Sequence, residues 1–476
     1  MNKKFTIKDQ NAFAILSGDN NPIHVDKIYS RRSIYGEPVV HGVNQVLYAL
    51  EILLSKTKKY LFINRIRVQF KKPVFLDKEV EVKIKQLSPL KNVLFVYSDG
   101  ILTTKIHLSF TFFKYDNDAT KHNCNTNINT KYNDIKPRLV SKDNIKSCSG
   151  VVGTSYDALL MQKYYTNVSK YLRCDQIGVI LASTRIIGTI CPGLNSLFSE
   201  CDLTFSRKKN ESVSYAVKRF DDRLNFLTIL VNGLGLYGEL TAFIRPEPVK
   251  QKSFSGVKKI VGSGDFIGER ALIIGGSRGL GEIALKIISA GGGSAVFTYF
   301  SGEDDALNLA REINDNGGSV LCVKLDVTSN DSVELVEKVC NEFGVTTCYY
   351  FATPKINPQK DSIFSTNLYY RYYKFYIEYF IRIIKVLNKN KVKNIFYPST
   401  VFIDRVPNGM SEYASVKAAA EILFSSLNNN GFNIYFPRLP ALATDQTAKL
   451  YGNDAVDSCD KIYEEIKKFK DFIEKV

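Results

Sequence analysis

Two kinds of periodicity divide the chain. From Gly42, the stretch GVNQVLYALEILL repeats apolar residues at helical spacing. Four runs follow that alternate apolar and polar positions: RIRVQF, VEVKIKQL, NVLFVYSDG and LTTKIHLSFTFF. A second stretch has the same order, with a helical segment around ICPGLNSLFS and then CDLTFS, VSYAVKRF, NFLTILVNG and YGELTAFI. Alternation of period two predicts antiparallel strands with one buried face. Each stretch therefore predicts a sheet wrapped around a helix, and the shared order predicts an internal duplication. The last part of the chain reads differently. ALIIGGSRGLGEIALKII predicts a buried strand, a glycine turn and a helix; SAVFTYF, SVLCVKLDV, TCYYFATP and KNIFYPST follow as apolar strands between helical segments. That alternation predicts a doubly wound parallel sheet.

Polar stretches separate these parts. Residues 115–149 include DNDATKHNCNTNINTKYNDIKPR, too poor in aliphatic residues to order themselves, and residues 246–265 hold PEPVKQKSFSG and then GSG. The expected organisation is an α+β domain at 1–114, a linker at 115–149, a second α+β half at 150–245, a linker at 246–265 and an α/β domain at 266–476. A length of 476 residues suits such a division.

Composition narrows the function classes. The chain is 45% hydrophobic and 24% charged, as soluble globular proteins are, and no stretch approaches the roughly 18 uninterrupted apolar residues of a membrane span. MNKKFTIKDQNAF carries charges without an apolar core, so no signal peptide is expected. The nine cysteines are scattered and never form CxxC, which argues against a zinc ribbon or a disulfide framework, predicts no metal and fits a reducing cytoplasm. Net charge is 64 basic minus 48 acidic residues, or +16. The excess is mostly lysine beside asparagine, with no arginine-rich run and no nucleic-acid-binding motif. It reads as a solvated surface, or as one suited to a phosphate-bearing small molecule or an acidic carrier, with neither nucleic acid nor membrane as partner.

The first chemical motif is LSGDNNPIHVD at 16–26, followed by EPVVHG at 37–42; two of the four histidines lie here. Asp19 and His24 are separated by Pro22, so the chain bends and both side chains are able to converge on one water. A carboxylate and an imidazole sharing a water suit the hydration of a double bond. Gly42, just before a helical run, offers its backbone N–H to an oxygen developing negative charge. With SGDxNPxH and VVHG in order, this block resembles the MaoC-like (R)-specific enoyl-CoA hydratases and dehydratases of the hot-dog fold. The resemblance implies that Asp19 and His24 are the catalytic pair, that Asn21 helps position them and that Gly42 polarises the thioester carbonyl. The second stretch resembles another hot-dog half without that pair. CPG (Cys191 to Gly193) stands there for VHG, and its expected role is to complete the fold and shape an acyl tunnel.

The second motif lies in the α/β part. Gly275, Gly279 and Gly281 form GxxxGxG between a strand and a helix, where the backbone must approach a pyrophosphate at the helix N-terminus. Asp326 and Val327 in LDV end a later strand. Tyr413 and Lys417 in YASVK share a helix face, an arrangement in which the lysine lowers the pKa of the phenol. Ser399, 14 residues before Tyr413, is placed to bond the same substrate oxygen, with Thr400 as its rival. Together these residues resemble the short-chain dehydrogenase/reductases. The resemblance implies catalysis by Ser399, Tyr413 and Lys417, and cofactor binding by Gly275, Ser277, Arg278, Gly279, Leu280, Gly281, Thr298, Ser301, Asp326, Val327 and Ala352. FTYFSG has no acid for a ribose 2′-hydroxyl, whereas Arg278 suits a 2′-phosphate, so NADPH is expected over NADH.

The family pattern is altered in places. Ile274 replaces the usual threonine, and FATP (Phe351 to Pro354) replaces NNAG. Asn367 is the loose candidate for the family's asparagine. The chain after PRLPALATD predicts a reduced substrate lid, and YYRYYKFYIEYF (369–380) predicts a packed helix interface.

A reductase joined to a dehydratase implies successive steps on one acyl thioester. An NADPH-dependent 3-oxoacyl reductase would feed an (R)-3-hydroxyacyl dehydratase, with CoA or acyl carrier protein as carrier and a homodimer as the default assembly. Three alternatives stay open: a degradative hydratase/dehydrogenase, a reductase of another carbonyl such as a sugar nucleotide, and a non-catalytic scaffold.

Overall fold

The computed structural model describes residues 2–113, 135–356, 364–445, 447 and 456–475. The chain forms two compact units, one of the described residues up to Glu247 and the other of those from Pro248 onward. Most of the first expected linker (115–134) and part of the region expected to hold the reduced lid (448–455) lie outside the described residues.

The first unit is built on one ten-stranded antiparallel sheet. Its strands are β1 (Asn2–Lys4), β2 (Leu61–Phe70), β3 (Glu79–Ser88), β4 (Lys91–Ser98), β5 (Ile101–Phe112), β6 (Ser149–Gly153), β7 (Ser196–Phe205), β8 (Ser212–Asp221), β9 (Phe226–Gly233) and β10 (Leu236–Ile244). They lie in the order β1-β3-β4-β5-β2-β7-β10-β9-β8-β6. Outward from the β2–β7 pair, both segments run first strand, fourth, third, second. The seam is antiparallel from Arg65 opposite Thr204 to Gln69 opposite Glu200, and Arg65 reaches across it to Asp202 with two bonds of 2.8 and 2.6 Å. Alternation along β4 and β5 buries Leu94, Val96, Ile106 and Leu108 on one face.

Two long helices fill that face. Gly42–Thr57 buries Leu47, Leu50 and Leu54. The other runs from Cys174 to Arg185 and continues as a π turn over Ile186–Ile190. The expected helix around ICPGLNSLFS is therefore misplaced: Cys191–Asn195 is a connection, and β7 starts at Ser196. The true helix escapes periodicity because Gln176 to Arg185 are all buried, so it shows no polar stripe. It follows that CPG is not the counterpart of VHG. VHG precedes its helix, whereas CPG comes after the other one.

The second unit contains a six-stranded parallel sheet. Its strands are β11 (Arg270–Ile274), β12 (Ser294–Tyr299), β13 (Ser319–Lys324), β14 (Thr347–Tyr350), β15 (Asn394–Phe396) and, after the short β16 (Ser399–Thr400), β17 (Asn433–Tyr435); β18 (Arg438–Leu439) pairs with β16. The order β13-β12-β11-β14-β15-β17 is the Rossmann order 3-2-1-4-5-6. Part of the segment expected as a linker is packed rather than free: Phe254, Val257 and Val261 join this unit's core. The C-terminal helix Ser458–Glu474 packs there through Ile462, Ile466 and Phe469. Among the described residues no helix is long and apolar enough to cross a membrane.

Candidate active sites

The SGDNNPIH segment is a tight reversal between two helices. The helix Ile7–Ser17 ends at Gly18, whose φ of 71° is in the left-handed region glycine tolerates. The Ser17 hydroxyl then accepts the Asp19 N–H at 3.1 Å. Asn21 caps the short helix Pro22–Val25 by accepting from Ile23 N–H, with Pro22 at the first helical position. This local geometry turns Asp19 and His24 toward each other. One ligand-type atom from each of Asp19, His24 and His41 lies within 4.8 Å of the other two.

Each member of the cluster is oriented. The Asp19 carboxylate accepts from the Thr184 hydroxyl at 2.6 Å and from Asn21 N–H at 3.2 Å. Its pKa is pushed up to about 6 by burial, against the opposing effect of those two bonds and of Arg185. His24 Nδ1 bonds the Val39 carbonyl at 2.7 Å. A carbonyl only accepts, so Nδ1 carries the proton and Nε2 is left as an acceptor. Burial lowers the His24 pKa to about 4, so the ring is neutral at physiological pH. His41 stacks on His24 with centroids 3.8 Å apart, and its ring nitrogens face Gln10 Oε1 at 2.9 Å and the Asp19 carbonyl at 3.0 Å. A neutral imidazole carries one N–H, so His41 donates to one of these two carbonyls. Gly42 opens its helix with His41 as N-cap, where first-turn amides have no intrahelical acceptor. A Cβ on Gly42 would meet the Phe70 ring at 2.7 Å.

The second segment contributes directly to this site, which the sequence did not reveal. Besides Thr184, the Asn21 side-chain amide donates to the carbonyls of Gly188 at 2.9 Å and Gly193 at 3.1 Å. Gly188 lies so close that a Cβ there would sit 2.1 Å from Asp19 Oδ1. Gly188→Ala must therefore displace the carboxylate. We expect a fall in hydration kcat of roughly 10²-fold, measured with crotonyl-CoA, and a loss of about 1–3 kcal/mol in stability from overpacking, measured by denaturant melts.

In the second unit, Gly275 and Gly279 have φ of 83° and 60°. A Cβ on Gly281 would lie 2.2 Å from the Gly275 carbonyl, so the helix Gly279–Ala290 can start only against a bare backbone. Arg278 is its N-cap, Ser277 is buried, and Gly279, Leu280 and Gly281 form the first turn. Ala352 stands beside Gly275, where a Cβ would be 3.0 Å from the Ala352 nitrogen. A helix start against bare backbone of this kind is able to hold a pyrophosphate.

Other residues in the expected cofactor set differ. Thr298 is buried under the loop, its hydroxyl accepting Gly275 N–H at 3.0 Å, so it supports the cradle rather than facing a ligand. The Asp326 carboxylate folds back to accept from Thr328 N–H and hydroxyl at 2.9 and 2.7 Å, with Val327 buried beside it. Ser301 is exposed. Acids begin just beyond it with Glu303, Asp304 and Asp305, and Glu303 bonds the Tyr299 hydroxyl.

The expected catalytic triplet needs correction. The Ser399 hydroxyl donates to Glu421, which also holds Arg438 through two bonds of 3.0 and 2.6 Å. Thr400 instead is the residue hydrogen-bonded to the Tyr413 phenol. One step along β16 turns a side chain to the opposite face, so the rival position is the one that meets the tyrosine. Burial raises the Tyr413 pKa well above its ordinary value, outweighing the Thr400 bond. Lys417 is also buried; its ammonium donates to the Pro398 carbonyl at 2.7 Å and sits 4.1 and 4.4 Å from the Tyr376 and Tyr397 ring centroids. Burial lowers its pKa to about 7. Both groups are thus driven toward their neutral forms, contrary to the expected depression of the phenol.

Asn367 is exposed near the start of the helix Thr366–Tyr373, and the residue over Lys417 is Tyr376, in a π turn at Lys374–Glu378. The aromatic run is a packed helix as expected, yet Tyr372 and Tyr376 also meet the Tyr413 ring edge-on at 5.7 Å.

Residues 2–105 match the MaoC like domain family. A 110-residue stretch, 22% of this chain, is 30% identical to the (R)-specific enoyl-CoA hydratase of Aeromonas caviae and spans 77% of that protein. Among solved structures, a short-chain dehydrogenase/reductase from Serratia marcescens is similar at 18% identity and a TM-score of 0.39, over 43% of this chain and 91% of that one. A short chain dehydrogenase from Burkholderia cenocepacia in complex with NADP is similar at 20% identity and 0.38, over 42% and 90%. A 3-oxoacyl (acyl-carrier-protein) reductase from Agrobacterium tumefaciens with NADP bound is similar at 17% identity and 0.35, over 40% and 75%.

Proposed function

The chain belongs, through its N-terminal part, to the family of MaoC-like (R)-specific enoyl-CoA hydratases, and from that premise we propose a bifunctional acyl-thioester enzyme. Its first unit is read as two hot-dog halves that interconvert 2-enoyl and (R)-3-hydroxyacyl thioesters. Its second unit is read as a reductase that makes the 3-hydroxyacyl group from a 3-oxoacyl thioester, in the biosynthetic direction. The observation that carries the reading is the convergence of Asp19 and His24 within 4.8 Å.

In hydration, water adds its oxygen to C3 while a proton reaches C2. The neutral His24 ring presents Nε2 to one hydrogen of that water. Asp19, with a pKa of about 6, is the group able to exchange a proton near neutrality; it takes the second hydrogen and returns a proton to C2. The Gly42 N–H stabilises the enolate oxygen of the thioester. Dehydration reverses these transfers. The carboxylate must be ionised to act as base, so we expect hydration kcat/KM to fall as pH drops below about 6, read from a pH–rate profile with crotonyl-CoA.

Gly275, Gly279, Leu280 and Gly281 fit a dinucleotide pyrophosphate, and Arg278 with Ser301 favours NADPH, Glu303 being committed to Tyr299. When bound, the nicotinamide supplies hydride to C3 of the 3-oxoacyl group. Tyr413, kept protonated by burial, gives its proton to the new alkoxide, and the Thr400 hydroxyl orients that oxygen. Lys417, with its pKa lowered to about 7, is able to exchange a proton near neutrality. The substrate is carried on CoA or acyl carrier protein, and the protein is a cytoplasmic homodimer.

The direct test feeds crotonyl-CoA to the purified protein and resolves the stereochemistry of the product. (R)-3-hydroxybutyryl-CoA is expected; the (S) product, or no hydration, contradicts the first half of the proposal.

A further inference from the structure

We infer that Arg245, at the end of β10, is a substrate-recognition residue of the first unit's site, and that the acyl chain selected there carries a carboxylate. This rests on the hydratase reading above.

Arg245 is 1% exposed. Its Nε donates to the Ser196 carbonyl at 3.4 Å, and Nη2 donates to the Tyr29 hydroxyl at 3.2 Å and to the Leu194 carbonyl. Nη1 is buried with no hydrogen-bond partner. None of these bonds goes to a carboxylate. A buried cation whose partners are all neutral, with two N–H donors on one nitrogen unmet, carries a charge that an anionic partner would compensate. Arg185 makes the contrast: equally buried, it spends Nε on the Ser17 carbonyl and Nη1 on the Gly153 carbonyl, and so acts as a brace.

The position ties Arg245 to the catalytic loop. The Leu194 carbonyl that takes Nη2 also takes the Asn21 amide at 3.2 Å, and Asn21 bonds the Ser196 hydroxyl at 3.3 Å. Tyr29, over whose ring the guanidinium lies at 5.5 Å, belongs to the helix Lys27–Ser30, which directly follows the His24 helix. The charge is felt at His24 and at the Tyr35 hydroxyl. An anionic oxygen on an acyl group held beside Asp19 and His24 would meet both the unmatched charge and the free N–H groups.

The test measures binding of two saturated thioesters of equal chain length, glutaryl-CoA and pentanoyl-CoA, to the full chain by calorimetry. Glutaryl-CoA is expected to bind roughly 10- to 100-fold more tightly. Arg245→Gln should abolish that preference by weakening glutaryl-CoA alone. A wild-type protein that binds the two alike, or prefers pentanoyl-CoA, overturns the inference whether or not the variant folds. So does a folded variant that weakens both equally, since Arg245 would then serve the part they share. Crotonyl-CoA hydration, measured in parallel, reports on the hydratase reading separately. Absence of hydration with both crotonyl-CoA and glutaconyl-CoA, beside an intact glutaryl preference, removes that reading and leaves the anion site standing.

Discussion

Asp19→Asn should lower crotonyl-CoA hydration by about 10³-fold or more while making the protein more stable at neutral pH. The two effects have one cause. Burial raises the Asp19 pKa from its ordinary 3.8 to about 6, so the folded state binds that proton more tightly than the unfolded chain does. Stability is then highest below pH 4, declines as pH rises through 6, and is flat above. Holding the carboxylate ionised at pH 8 costs on the order of 3 kcal/mol, a cost the neutral amide avoids. Thermal melts of wild type and variant should nearly coincide at pH 4 and separate above pH 6, with the variant higher. A variant that melts lower at pH 8 would mean that the Thr184 and Asn21 bonds outweigh burial. Retained hydration would remove Asp19 from the chemistry.

The second large effect is expected in the proposed reductase. Tyr413→Phe should cut NADPH-dependent reduction of acetoacetyl-CoA by about 10³-fold or more and leave NADPH binding unchanged, because the phenol acts on substrate and the cradle lies elsewhere. Thr400 and Ser399 separate the two positions on β16. Thr400→Val removes the hydroxyl bonded to Tyr413 and should cost about 10²-fold in kcat. Ser399→Ala should leave kcat within a few-fold and lower stability by about 1–3 kcal/mol, since it withdraws a donor from the buried Glu421. The reverse pattern would restore Ser399 to the site.

Much of the first site was legible because its geometry is local. Ser17, Gly18, Asn21 and Pro22 shape the reversal through bonds spanning at most four residues. Thr184, Gly188 and Arg245 were not legible, because they meet the loop across more than 160 residues and carry no motif of their own. Gly188 is one of 30 glycines, and only the carboxylate against its Cα distinguishes it. His41 had a signal, as one of only four histidines and a member of VVHG; its role depends on a ring stack that spacing does not disclose. In the second unit the glycine turn and strand alternation gave the parallel sheet. A one-residue shift on β16 exchanged Ser399 for Thr400, and a π turn brought Tyr376 rather than Asn367 over Lys417. Such irregularities change which side chain points inward without altering the periodicity that predicts the element.

The joined activities are tested most directly by incubating the purified chain with acetoacetyl-CoA and NADPH and identifying the acyl products by mass spectrometry. Crotonyl-CoA together with (R)-3-hydroxybutyryl-CoA, formed as NADPH is consumed, is the predicted result. NADPH consumption that stops at 3-hydroxybutyryl-CoA, or no consumption with acetoacetyl-CoA, longer 3-oxoacyl chains or a carrier-protein thioester, would contradict it.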